Sequence, residues 1–303
     1  STALIRGIVS KFSELGVKVG GFDAYTTSDV LSGSGLSSSA AFEVLVGTII
    51  DNHYNAGKLG AVEIAKIGQY AENQYFGKKS GLMDQMVSSV GGFVFIDFES
   101  TTDPKIEKVS CDLGEFGLQL CITDTKGSHA NLTDDYVAIP KEMQSVAKYF
   151  GKEYLREVDE DEFYSSIPKL RGVCSDRAIL RSAHYFQDNE AAQLERDALS
   201  AKDIEKFLQL VRASGNSSAR LLQNLYSCSS PTEQGIPLGL FVSERVLQGR
   251  GATRVHGGGF AGTIQAFVPK DLVSTYVSAM DNLFGKGSCY CLDVRLVGGL
   301  RVL

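Results

Sequence analysis

Residues 32–43 read Ser-Gly-Ser-Gly-Leu-Ser-Ser-Ser-Ala-Ala-Phe-Glu, and of the first eight only Leu36 is neither glycine nor serine. The stretch runs straight into the apolar segment that begins at Ala40. A loop of this kind exposes the unpaired N–H groups of the following helix's first turn, at the positive end of its dipole, and sets serine hydroxyls beside them. That is chemistry for holding an anion, phosphate above all. Glycine lets the backbone approach such a ligand because no Cβ stands in the way. A flexible structural turn is the alternative, and residue types alone leave both open.

Three named motifs fail here. A Walker loop needs Gly-Lys-Ser/Thr four residues after a glycine, but in Gly77-Lys78-Lys79-Ser80 a second lysine intervenes and the earlier position is Glu72. A nucleophile elbow needs glycine two residues after the serine, where Ser37 has Ser39. The dinucleotide fingerprint needs a third glycine at position 38, which is serine. Two carboxylates elsewhere could do chemistry. Glu72 reads either as an oxygen ligand for a hard cation or as an exposed helix carboxylate. Asp84, in the first turn of a short helix after Ser80-Gly81, has its ionised form favoured by the helix N-terminus, and plain capping accounts for it equally.

The elements that must position these groups follow from spacing. Residues 2–15 carry a helical apolar pattern stopped by Gly16, and residues 17–30 have extended character. Residues 40–53 are apolar almost all round, as in a buried helix. An amphipathic helix is expected over 60–76, a short one over 82–90, and strands over 93–98 and 118–123. Helical patterns then run over 133–150, 175–198, 202–227 and 238–249. A glycine-rich stretch and strand fill 255–268, and 292–303 reads as a final strand pair. The acidic stretch from Glu157 to Glu162 reads as a solvated loop. Helices and strands without regular alternation predict an α+β fold rather than a doubly wound sheet.

Composition narrows the partners. The 303 residues are 43% hydrophobic and 22% charged with a net charge of -6, an ordinary globular mixture. No Lys/Arg run exceeds two residues, so nucleic acid is not an expected partner. No 18-residue uncharged apolar window predicts a membrane span. The six cysteines lack C-x-x-C pairs, which suits a reducing, cytoplasmic setting. The four histidines lack metal-ligand spacing.

Five blocks in order resemble the GHMP kinases, the family of galacto-, homoserine, mevalonate and phosphomevalonate kinases, and the galactokinase branch most closely. Gly33-Ser34-Gly35-Leu36-Ser37-Ser38-Ser39-Ala40-Ala41 resembles the family's ATP-phosphate loop. Ala71-Glu72 with Ser80-Gly81-Leu82-Met83-Asp84-Gln85 is similar to its A-E … C-G-I-M-D-Q block. Asp124-Thr125-Lys126-Gly127-Ser128-His129 with Asp135-Tyr136 resembles D-T-x-x-x-H-S … E-Y. Residues 254–262, with Gly257-Gly258-Gly259, are similar to the third motif, and Val294-Arg295-Leu296-Val297-Gly298-Gly299 to the V-R-P-V-G-G ending.

The resemblance implies a two-domain α+β fold. It comprises an N-terminal domain like the second domain of ribosomal protein S5, incomplete here and assigned to residues 1–98, and a ferredoxin-like C-terminal domain over 99–303. It implies that residues 33–39 hold ATP phosphates, that Ser39 and Glu72 ligate Mg²⁺, and that Asp84 is the catalytic base for an anomeric hydroxyl. Gly81 and Tyr136 would touch the sugar, and Gly257, Gly258 and Gly259 would support the phosphate loop. The implied reaction is phosphorylation of a monosaccharide at C1, galactose first. N-acetylgalactosamine, another small alcohol, or a non-catalytic sugar- and ATP-binding regulator are the alternatives.

Departures from the pattern are specific. The family's first motif, R-x-E-x-x-x-x-H-x-D, has no counterpart in residues 1–303. It supplies an arginine and sugar-binding carboxylates, so a preceding segment is expected and the chain by itself is expected to be inactive. Leu31 and Leu296 stand at usual proline positions, His256 at a threonine and Asp135 at a glutamate. A monomer is the default expectation.

Overall fold

The computed structural model describes residues 1–30, 36–78, 80–100, 103–128 and 132–302. The chain divides into two compact units. One comprises Ser1–Cys111 together with Val294–Leu303, the other Asp112–Asp293.

In the first unit, α1 (Thr2–Glu14), α2 (Ser38–Tyr54) and α3 (Ala61–Tyr70) share a core of Ile8, Phe12, Val46, Ile50, Ile67 and Ala71. The helical pattern over 60–76 is present, but its last part differs. The chain winds as α3 to Tyr70 and then widens into a π-helical turn, Ala71–Phe76. Such turns add a residue per loop and swing side chains to new angles, and they recur at functional positions. Gly7 of α1 lies hard against this turn, and a Cβ there would meet the Ala71 Cα at 2.7 Å. The short α4 (Met83–Val90) packs Leu82 and Met86 against Ala65, and β1 (Phe93–Asp97) pairs antiparallel with β2 (Lys105–Val109).

Residues 17–30 hold no helix or strand, and the Tyr54 hydroxyl of α2 donates to the Gly21 carbonyl at 2.8 Å. Two expectations in this unit are corrected. The unit boundary falls after Cys111 rather than at 98, because β2 is the partner of β1 and holds residues 105–109 in the first unit. The final segment is not a strand pair. Residues from Val294 onward return to the first unit in irregular form, with Gly92 N–H donating to the Arg295 carbonyl at 2.8 Å and Lys108 Nζ to the Leu296 carbonyl at 2.6 Å. Gly298 lies so close to α4 that a Cβ would meet the Ser89 carbonyl oxygen at 1.9 Å.

The second unit is built on an antiparallel sheet in the order β4-β5-β3-β6. The chain makes β3 (Leu118–Asp124), then the helices α5 (Thr133–Tyr149), α6 (Glu160–Leu170), α7 (Asp176–Ser200), α8 (Ile204–Ser217) and α9 (Gly235–Leu247). It continues through β4 (Ala252–Val255), β5 (Thr263–Pro269), α10 (Val273–Phe284) and β6 (Cys289–Leu292). With strands taken in chain order this is 2-3-1-4, the split βαβ layout of a ferredoxin-like domain, as expected. One face of the sheet buries Cys121, Ile264, Ala266 and Val268 against Tyr276 and Met280 of α10 and Ile236 and Leu247 of α9. A second core joins α5, α6 and α7 through Val146, Phe163, Leu170 and Phe186. The acidic stretch is not a loop throughout. Asp159 caps α6 by accepting from Glu162 N–H, and Glu160, Asp161 and Glu162 fill its first turn, where negative charge meets the helix dipole. Among the described residues no helix is long and apolar enough to cross a membrane.

The Gly7 contact gives opposing expectations for one substitution. Helix propensity favours Gly7→Ala by about 1 kcal/mol, whereas overlap with backbone that cannot move aside costs about 1–3 kcal/mol. We expect packing to win, with a lower midpoint in thermal or urea unfolding; a stabilised variant would show that α1 does not press on the π-helical turn.

Candidate active site

The site of the first unit is assembled around Glu72, whose side chain is only 2% exposed although it carries a charge. It belongs to the π-helical turn, and four side chains donate to it. Ser39 Oγ, in the first turn of α2, reaches Oε1 at 3.1 Å and Lys78 Nζ reaches the same oxygen at 3.0 Å. Gln85 Nε2 of α4 reaches Oε2 at 3.1 Å, and Ser80 Oγ donates there too. The Ser80 segment is itself pinned: its N–H donates to Asn73 Oδ1 at 2.8 Å, and its carbonyl accepts from Gln69 Nε2 at 3.1 Å. Those bonds set the entry to α4, hence the place of Asp84 in its first turn. Gly81 is exposed there, with open space where a Cβ would be.

Asp84 is exposed, and Ser37 Oγ donates to its Oδ2. Ser37 caps α2 in the left-handed region, φ 53° and ψ 59°, a conformation that costs a non-glycine residue of order 1 kcal/mol or more. The described part of the glycine-serine loop, Leu36 to Ser39, therefore meets both carboxylates singled out from sequence: Ser37 on Asp84 and Ser39 on Glu72. Gly33, Ser34 and Gly35 lie outside the described residues.

The remaining candidates belong to the second unit and are described there. Tyr136 of α5 donates its hydroxyl to the Gly259 carbonyl at 2.9 Å and stands edge-on to Phe260, ring centres 5.4 Å apart. Burial raises its phenol above the usual range. Gly258 lies under the same ring, where a Cβ would meet Tyr136 Cε1 at 2.9 Å. Gly259, at φ +78°, leaves no room for a Cβ beside the Asn224 carbonyl, 2.1 Å away, and Gly257 is also left-handed at +69°. The three glycines thus form a tight turn fitted to Tyr136 and Asn224.

Comparison with known proteins says what the chain is similar to. Residues 3–92 match the family described as GHMP kinases N terminal domain. Beyond it, the chain is 28% identical over 285 residues to the galactokinase of Clostridium tetani, covering 93% of this chain and 69% of that protein. In fold it resembles Lactococcus lactis galactokinase complexed with galactose, with a TM-score of 0.72, 21% identity, and coverage of 99% of this chain and 76% of the other. Homoserine kinase from Cytophaga hutchinsonii matches at a TM-score of 0.57 and 16% identity, over 98% of this chain and 77% of that one. The two-domain α+β architecture is that of the GHMP kinases.

Within the first unit, two glutamates diverge electrostatically. Burial alone would raise Glu72, but the hydrogen bonds from Ser80, Lys78 and Ser39, with the Lys78 charge, outweigh it and hold the carboxyl below its usual range. Glu72 is therefore ionised. Ser39 Oγ and Glu72 Oε1 are hard oxygens 3.1 Å apart, close to the ~2.9 Å between neighbouring vertices of an octahedron with bonds of about 2.0–2.1 Å. The two oxygens fit a magnesium ion's coordination, and the Lys78 ammonium on Glu72 Oε1 would have to share or yield that oxygen. Glu43 of α2 goes the other way. Its side chain is fully buried, and although Oε2 accepts from Gln85 Nε2 at 2.9 Å, Oε1 has no partner. Burial pushes it up to about 7; the Gln85 bond opposes this, and the charges of Glu72 and Asp84 add to it.

Glu43, Lys78, Ser80 and Gln85 were not singled out from sequence. Gln85 and Ser80 stand inside the Ser80–Gln85 block, and Glu43 was visible as the one charge before Asp51 on an otherwise apolar helix. That last signal, a lone acid where everything else is buried, could have found it.

A raised carboxyl carries a pH signature. Between about 4.3 and about 7 the folded state binds the Glu43 proton more tightly than the unfolded chain does, so stability falls as pH rises through that window. Glu43→Gln removes the dependence. We expect the variant to gain on the parent from pH 4.5 to pH 8 by up to about 3 kcal/mol, at ~1.4 kcal/mol per unit, measured by urea unfolding across pH. Glu195 of the second unit is likewise pushed to about 7 by burial; both proteins carry it, so the difference isolates Glu43. A gap independent of pH would show that Glu43 is ionised in the folded protein throughout.

Proposed function

We propose that this chain is the phosphate-binding and base-bearing part of an ATP-dependent sugar kinase that phosphorylates the anomeric hydroxyl of a monosaccharide, galactose first. The observation that supports this best is the pair of contacts made by one short loop, Ser37 on Asp84 and Ser39 on Glu72. Phosphoryl transfer asks a protein chiefly for positioning and charge neutralisation, and those contacts tie the place of the phosphates to the place of the base.

In this reading residues 33–39 hold the β- and γ-phosphates at the N-terminus of α2, through backbone N–H groups and serine hydroxyls. Ser39 and Glu72 would hold Mg²⁺, which when bound neutralises charge on the transferred phosphoryl group. Glu72 is kept ionised for that by its donors, and Gln85 and Ser80 orient it from the opposite oxygen. Asp84 accepts the proton of the attacking hydroxyl. Ser37 occupies Oδ2, and among the described residues Oδ1 makes no hydrogen bond, which leaves it for the substrate. A carboxylate serves here because a loose transition state moves the proton late, so that orientation counts for more than basicity. Gly81, without a side chain beside Asp84, leaves space for the sugar. Tyr136 we assign to the sugar side through its ring, since its hydroxyl is engaged by Gly259.

The test is turnover in the full-length protein. Asp84→Asn is expected to lower kcat for ATP and galactose by roughly 10²–10⁴-fold, with ATP binding by calorimetry unchanged; undiminished kcat would remove Asp84 from the mechanism. ADP release measured over galactose, N-acetylgalactosamine and other monosaccharides assigns the acceptor. Galactose binding without ADP release from the unsubstituted protein would instead identify a sugar-binding regulator, a reading that the intact Ser39-Ala40 pair disfavours.

A further inference from the structure

Three of the six cysteines, all unpaired by disulfides, meet on one face of the second unit's sheet. Cys121 lies on β3, inside the sheet, and Cys289 and Cys291 on β6, at its edge. Cys121 is opposite Cys291, and Thr123 opposite Cys289. Asp124 N–H donates to the Ser288 carbonyl at 2.9 Å, so that pair is a hydrogen-bonded one. Counting back, Thr123–Cys289 and Cys121–Cys291 alternate into the non-hydrogen-bonded class, where Cα atoms stand only about 4.5 Å apart and side chains are closest. That separation falls within the ~4.4–6.8 Å a disulfide spans. The Cys121 and Cys291 sulfurs are 3.7 Å apart. Cys121 is fully buried, Cys289 nearly so, and Cys291 is exposed. Among the described residues no three His, Cys, Asp or Glu side chains converge in metal-binding geometry, which leaves thiol chemistry for the cluster.

We propose that Cys291 and Cys121 form a redox-modification site that small disulfides convert to a cross-strand Cys121–Cys291 bond. The Cys291 thiolate attacks one sulfur of the small disulfide, breaking its S–S bond and releasing one small thiolate, which takes up the proton Cys291 gave to solvent. The Cys121 sulfur then attacks Cys291 Sγ, closing the protein disulfide and expelling the second small thiolate. The Cys121 proton passes to that leaving thiolate. Two protein thiols are oxidised and one small disulfide is reduced to two thiols.

The experiment equilibrates the full-length protein with oxidised and reduced glutathione, blocks thiols with N-ethylmaleimide under denaturing conditions, and maps peptides by mass spectrometry. The expected result is a Cys121–Cys291 linked peptide and loss of maleimide from those two cysteines alone. Cys121→Ser should trap a glutathione adduct on Cys291. The exposed-site variant Cys291→Ser, which leaves the buried core untouched, should form no link. In the unsubstituted protein a link through Cys289 in place of Cys291 would overturn the assignment. A persistent glutathione adduct on Cys291 in the unsubstituted protein, or maleimide on both Cys121 and Cys291 at every ratio, would overturn the proposal.

Discussion

A carboxylate withdrawn from water must be hydrogen-bonded or lose its charge, and Glu72 meets that demand with donors from three separate stretches of chain. Nearly everything in the first unit follows from satisfying it. The π-helical turn presents the carboxylate inward, and the start of α2 must bring a hydroxyl to one oxygen. The segment after Gly77 must fold back so that Ser80 and Gln85 reach the other. Because the same fold-back launches α4, the position of Asp84 is a by-product of satisfying Glu72. Charge and geometry are thus one constraint here.

The second glutamate shows the other outcome. Glu43 shares Gln85 with Glu72, but one carboxamide nitrogen cannot neutralise two buried anions, and Glu43 keeps an oxygen with no donor. The pair therefore divides, one acid ionised and the other held toward its neutral form, with Gln85 as the shared hinge. A medium that disfavours charge makes such a division the expected result when acids outnumber cations. It also keeps the net negative charge beside Ser39 to what a single divalent ion can match.

Much of this was legible in the residues, for identifiable reasons. The glycine-serine loop stood out because its composition is unusual before a buried helix, Glu72 and Asp84 were singled out through the family resemblance, and the helices were legible because apolar spacing is local information. What failed was non-local. Residues 17–30 have extended character, but a strand exists only with a partner, and no spacing rule says whether there is one. The last residues read as extended for the same reason, whereas their close fit against α4 depends on Gly298 having no side chain. The acidic stretch was misjudged because Asp159 is a cap, and a cap becomes visible only once the helix it starts is known. The meeting of Ser37 with Asp84 spans 47 residues of chain, a distance over which only the fold, or a resemblance to proteins that share it, can speak.

The first unit is discontinuous: it holds residues up to Cys111 and those from Val294 onward, with the whole second unit between them. On the ribosome this imposes an order. The inserted sheet and its helices can close as soon as β6 emerges, while the strip that fits Gly298 against Ser89 of α4 is made only after the whole second unit. Contacts of such long sequence separation form late and slowly. Until then α4 lacks that covering strip.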